Sequence, residues 1–284
     1  MNKIGINFWN WRSGLDVECL GLCGHAAQMG FTAVELPMTT PHLPKAAAFQ
    51  AEIERLGLEV TLCAAMTVGR DISHEDEEVR RQTADYLTAC LDTGSQLGAK
   101  LLAGPLYAGG GKRHHLTPAE QRREWTRAVD GLAPMAQAAH QRDMLLAVEA
   151  VNRYRTSVVN TTDQALAMVR DIDSPQVGIL FDTYQSCIED EDICQALESV
   201  LKAGKLFHFH ACANHRGAPG TGHLPWERLL GLLREYDYHG HITMETFCPG
   251  GLDPSWYPLA DSQDQLAKQG LDYLTAWFAA VNTN

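Results

Sequence analysis

The sequence predicts a closed (β/α)8 barrel, on three observations. Eight short apolar runs, several rich in β-branched residues, alternate with segments of helical periodicity. The 284 residues divide into units of about 35, which suits a barrel of ~250 residues. The first strand is not followed by the G-x-G-x-x-G turn of a doubly wound open sheet, the alternative architecture.

The elements follow in order. A strand over 4–8 leads to a helix over 17–29, which Gly30 ends, since glycine takes the left-handed conformation that closes a helix. A strand over 31–35 leads to a helix over 43–56 stopped by Gly57, and a strand over 58–63 to a long helix over 75–97 stopped by Gly98. A strand over 100–104 opens into a glycine-rich loop and then a helix over 118–141. The strand over 144–149 precedes a helix over 162–171, and that over 177–182 a helix over 193–203. The last two units are 205–210 with 225–236 and 241–245 with 263–281. Near-continuous apolar strands between helices indicate a parallel sheet covered on its outer face, so a single domain spans 1–284.

Composition narrows the function. A net charge of −12 opposes a partner bound mainly through phosphates, which excludes most nucleic-acid binding. No apolar run reaches the ~20 residues a membrane helix needs, and the N-terminal residues carry no signal-peptide pattern, so a cytoplasmic protein is expected. The eight cysteines form no C-x-x-C pair, which suits unpaired thiols in a reducing compartment.

The strand ends carry the chemistry. Glu149, Asp182, His210 and Glu245 close strands five to eight. In a barrel these ends converge at the C-terminal mouth, where active sites of this fold lie. Three carboxylates buried together are costly unless a cation neutralises them, so the four side chains read as a metal site. Three oxygens and one imidazole suit Mn²⁺, with Mg²⁺ or Co²⁺ as alternatives and zinc less favoured. Each residue separately paired at the rim is the competing interpretation.

Four motifs then resemble those of ketose 3-epimerases of the D-tagatose/D-allulose group, within the xylose-isomerase-like barrels. They are Glu149-x-x-Asn152-Arg153-Tyr154, Asp182-Thr183-Tyr184 with Ile188-Glu189, His208-x-His210 with Asn214-x-Arg216 and Pro219-Gly-x-Gly222, and Met244-Glu245-x-Phe247. The resemblance implies that Glu149, Asp182, His210 and Glu245 hold one divalent ion, and that Glu149 and Glu245 flank C3 of a keto sugar as an acid/base pair. It implies that Arg216 binds substrate oxygen near the reacting carbon, and that the protein is a homodimer or homotetramer. Two positions depart from the pattern: Gln185 stands where the family has His, and Arg155 where it usually has Glu. A guanidinium in place of a carboxylate reverses what is recognised there, so an anionic or otherwise modified sugar is expected unless Arg155 points outward into solvent or a subunit contact.

Further candidates for substrate contact are Phe8, with Trp9 and Trp11, as an apolar wall or else as ordinary rim packing, Glu35 at the end of strand two, with a rim salt bridge as the alternative, and His208, which fits equally a place behind the ligands or a satisfied inward-facing histidine. The loop 109–115 is expected as a flexible lid with Lys112 and Arg113 in solvent, since it lacks the P-loop spacing. The competing functions are an aldose–ketose isomerase of the hydroxypyruvate isomerase type, an endonuclease IV-like repair enzyme, which −12 opposes, and a non-catalytic barrel, which the presence of both Glu149 and Glu245 opposes.

Overall fold

Eight parallel strands close on themselves in sequence order, β8 pairing with β1. The computed structural model describes residues 3–113, 115–251 and 256–281. The strands are β1 (Lys3–Asn7), β2 (Ala33–Met38), β3 (Glu59–Ala64), β4 (Leu101–Gly104), β5 (Leu145–Glu149), β6 (Val177–Asp182), β7 (Leu206–Ala211) and β8 (His241–Met244). The helices are α1 (Leu20–Met29), α2 (Ala46–Leu56), α3 (Glu77–Leu97), α4 (Pro118–His140), α5 (Thr162–Ile172), α6 (Thr183–Glu189), α7 (Ile193–Lys202), α8 (Trp226–Glu235) and α9 (Gln263–Val281). The chain belongs to the predicted fold class, the (β/α)8 barrel.

Local chemistry accounts for the boundaries. Thr117 and Glu120 form a capping box with Pro118 in the first turn of α4, and Thr161 and Gln164 form another at α5. Gly30, Gly57 and Gly98 cap α1, α2 and α3 in the left-handed region, as the sequence predicts. The expected helix over 17–29 begins instead as a 3-10 turn, Val17–Cys19, and becomes α-helical at Leu20. Helix α6 was not expected, because two turns are too short to show a periodicity of their own.

The outward faces of the strands and the inner faces of the helices share one apolar core, with Ile6, Leu36, Leu62 and Phe209 fully enclosed. The barrel interior is different. Glu35 on β2 bonds to His208 and His210 on β7, strands that are not neighbours in the ring, so these bonds cross the inside of the barrel. The register between β6 and β7 shifts at Ile179/Leu180, and beyond the shift Asp182 pairs with His210. A register shift of this kind re-aims side chains, and this one sets two candidate ligands side by side. All eight cysteines are free, and no helix among the described residues is long and apolar enough to cross a membrane.

Candidate active site

Glu149 ends β5, Asp182 ends β6, His210 lies on β7, and Glu245 follows β8 directly. The structure brings all four together: one potential ligand atom from each lies within 4.8 Å of the others, and all four residues are buried.

Asp182 has two roles, one for each oxygen. Oδ1 accepts from the backbone N–H of Tyr184 (2.7 Å) and Gln185 (3.2 Å) and so starts α6. Oδ2 is left to face the cluster, 3.3 Å from Arg216 Nη1. His210 is split in the same way. Its Nε2 bonds to Glu35 at 2.8 Å, while Nδ1 lies 3.4 Å from Glu245 Oε1 and 4.0 Å from Asp182 Oδ2. Nδ1 is a buried ring nitrogen with no hydrogen-bond partner. A buried nitrogen aimed at three carboxylates is the donor a cation would complete, so the residues present fit a divalent metal.

The acidities of the cluster diverge. Burial raises the Glu149 carboxyl well above the carboxylate range, and Glu245 and Asp182 beside it add to this. Burial also lifts Asp182, to about 6, against the pull of Arg216. Glu245 is buried too, yet His210 and Arg216 hold it below its ordinary value. Burial acts to lower the His210 pKa, but Glu35 and Glu245 on either side overcome it and hold the ring well above the usual imidazole range.

Arg216 closes the cluster. Its Nη1 donates to Asp182 and, at 3.0 Å, to Glu245, while the guanidinium lies 3.8 Å from the Tyr184 ring centre and 4.8 Å from that of Phe247. Its backbone is left-handed, with φ 63°, a strained conformation for a residue with a long side chain and one that clusters at functional sites. Gly222, φ 73°, packs so closely on Asn214 that a Cβ would collide with its amide, which explains the glycine in that motif.

A cavity of about 360 Å³ opens onto this cluster. Glu149, Glu245 and Arg216 line it, as do Trp9 and Phe247, stacked at 5.3 Å, and Cys63. Asp182 and His210 are not among the lining residues.

Four expectations need correction. Phe8 is fully buried in the core against Trp11, whose indole donates to Asp264; of the three aromatics only Trp9 lines the cavity, because residues 8–10 turn as a 3-10 helix and present one side chain inward. For Glu35 and His208 the substrate alternative is the one corrected: both are fully buried, bonded to each other at 2.7 Å and absent from the cavity wall, so Glu35 is paired inside the barrel rather than at its rim and His208 faces inward. Lys112, expected in solvent, has a side chain only 11% exposed and bonds to Asp71 (2.9 Å), Ser73 (2.7 Å) and Glu124 (2.8 Å). The loop is a pinned wall: Gly110 N–H donates to Met66 O and Gly111 N–H to Arg155 O, and Gly109 packs where a Cβ would lie 2.7 Å from Thr67 O. Arg113 is exposed, as expected, and lines the cavity; His114 lies outside the described residues.

Residues 23–277 match the family described as Xylose isomerase-like TIM barrel. The chain belongs to the xylose isomerase-like TIM barrel family. Among curated relatives of the family, the chain is 30% identical over 258 residues to "D-psicose 3-epimerase" of Enterocloster bolteae, covering 88% of this chain and 83% of that protein. It is 32% identical over 256 residues to "Putative hydroxypyruvate isomerase" of Streptomyces coelicolor, covering 82% and 88%. Among solved structures it is similar to an L-ribulose 3-epimerase, with TM-score 0.91, 25% identity, and 100% and 96% of the two chains covered.

Within this family member the two departures from the motif pattern both face the cavity. Gln185 Oε1 accepts from the backbone N–H (3.0 Å) and the side-chain amide (2.6 Å) of Asn152, so its oxygen is identified by its donors. Its amide nitrogen is left as the group that can donate elsewhere. Arg155 is half-buried, lines the same cavity, and its guanidinium lies near Gly110. Asn152, Tyr184 and Phe247 were not singled out from the sequence for these contacts, although all three stand inside the matched motifs.

Proposed function

We propose that this enzyme of the ketose 3-epimerase type inverts C3 of a keto sugar, with a divalent metal held by Glu149, Asp182, His210 and Glu245 and with Glu149 and Glu245 as the acid/base pair. One observation carries the reading: of the four clustered residues, only the two glutamates also line the cavity. Epimerisation needs a proton removed on one face of a carbon and delivered on the other, and carboxylates from β5 and β8 approach a ligand from well-separated points on the ring. The pair is also split in acidity, the Glu149 carboxyl pushed up by burial and by Glu245 and Asp182 beside it, and Glu245 held down by His210 and Arg216, a divergence that suits an acid and a base. Held by these four residues, a divalent ion would supply Lewis-acid polarisation of the ketone and so make the proton at C3 easier to remove. The donor set favours Mn²⁺, with Mg²⁺ or Co²⁺ next. Arg216, fixed between two rings and two carboxylates, is placed to hydrogen-bond sugar oxygen, and the stacked Trp9 and Phe247 to pack on its carbon face.

The test is incubation of the metal-loaded enzyme with ketoses in deuterated water. Deuterium at C3 with the ketose retained supports the reading, and Glu149→Gln and Glu245→Gln each lose at least ~100-fold in turnover. Label at C1 or C2 with aldose formed would transfer the proposal to an aldose–ketose isomerase, the second reading, which the relative named for hydroxypyruvate isomerisation favours. The cavity position of Arg155 and Arg113 further supports a sugar carrying a carboxylate or phosphate.

A further inference from the structure

Two groups of buried metal-ligand side chains overlap at His210: Glu35, His208 and His210, and Glu149, Asp182, His210 and Glu245. The first is closed on itself. Glu35 Oε1 accepts from Asn7 Nδ2 (2.8 Å) and His210 Nε2 (2.8 Å), and Oε2 from Thr61 Oγ1 (3.0 Å) and His208 Nε2 (2.7 Å). Four donors on two oxygens leave this carboxylate no lone pair facing an ion, and neither Glu35 nor His208 lines the cavity.

We infer that Glu35 is a positioning residue: its carboxylate locks His210 as the Nε2–H tautomer and turns Nδ1 toward the three carboxylates as the ligating nitrogen. A neutral imidazole has one donor and one acceptor nitrogen, so the bond to Glu35 decides which atom is left for the metal. A carboxylate behind a ligating imidazole also raises its basicity, and losing such a partner typically costs 10–100-fold in metal affinity. Asn7 and Thr61, from β1 and β3, stop the carboxylate from rotating away, and His208 occupies the oxygen that His210 does not use. Glu35 thus acts through His210 and touches neither substrate nor metal. The inference rests on the metal site proposed above.

The decisive variant is Glu35→Gln, which keeps the shape but replaces one acceptor oxygen by an NH₂ that faces a donor. Titration with Mn²⁺ or Co²⁺ by calorimetry reads its metal affinity, circular dichroism and melting check its fold, and ¹⁵N–¹H spectra of histidine-labelled protein read the tautomer, with His210→Gln assigning the ring. The expected result is a folded variant with metal binding weakened 10–100-fold, and a wild-type His210 that carries its proton on Nε2 in the Mg²⁺-loaded enzyme. A folded Glu35→Gln protein that binds metal as tightly as wild type, or a wild-type ring protonated on Nδ1, overturns the inference. If the variant does not fold, the wild-type tautomer alone decides. Wild-type protein that binds no divalent ion refutes the metal reading itself, a different outcome from normal wild-type binding with an unaffected variant.

Discussion

Lys112→Met removes a buried cation from between two buried carboxylates. The Lys112 ammonium bonds to Asp71, Glu124 and Ser73, and the side chains of Lys112, Asp71 and Glu124 are 11%, 8% and 8% exposed. Methionine fills much of the same space but leaves both acids without their shared counter-charge. Breaking a buried pair in this way costs about 3–5 kcal/mol, and a chain of this size loses roughly 2–3 °C of melting temperature per kcal/mol, so melting falls by roughly 6–15 °C. The cost is one of a removed counter-charge more than of lost contact. Lys112→Met combined with Asp71→Asn and Glu124→Gln therefore recovers about half or more of the loss, because neutral amides tolerate burial and Asn at 71 still accepts from Ser73 N–H and Oγ. The assay is thermal unfolding of the three proteins under one metal concentration, with melting read by fluorescence. A single variant melting within about 1 °C of wild type, or a triple variant less stable than the single, would refute the burial argument. Because Lys112 holds the Gly109–Gly111 wall of the cavity, the single variant also raises KM at temperatures well below melting.

Three further outcomes follow from the site. Arg216→Lys keeps the charge but loses the planar stack between Tyr184 and Phe247, and kcat/KM at saturating metal falls roughly 10–100-fold; a wild-type rate would remove the stack from the function. Arg155→Ala raises KM for a sugar acid or sugar phosphate about ten-fold or more and leaves that for neutral ketoses nearly unchanged, and equal losses on both would end the anion reading. Metal affinity falls as pH drops: Glu149 and His210 are both shifted upward and Asp182 lies at about 6, so these groups take up protons as pH decreases and an entering ion must displace them. Calorimetry in buffers of different ionisation heat reads the released protons directly, and affinity that stays flat from about pH 7.5 to about 5.5 contradicts the assignment.

The sequence by itself determined the barrel and the four clustered candidate ligands, because both are local properties repeated along the chain. Apolar runs, glycine caps and capping boxes are set by neighbouring residues, and Glu149, Asp182, His210 and Glu245 each stand where their own strand ends. Once eight units are recognised, the topology of the fold alone brings those ends to one mouth. Helix α6 escaped because its signal is one side chain, the Asp182 cap, which also reads as a metal ligand.

What only the tertiary structure decided is which way a side chain points and what it meets there. Phe8 and Trp9 are consecutive and equally aromatic, and a single 3-10 turn sends one into the core and the other to the cavity. Lys112 looks like a loop cation until Asp71, Ser73 and Glu124 arrive from two other segments. Glu35 and His210 are 175 positions apart, on strands that are not neighbours, and their bond exists only because a closed barrel brings opposite walls within reach. Periodicity carries information about a residue's own element, whereas the charge, tautomer and exposure of a buried polar group depend on partners supplied by the rest of the ring.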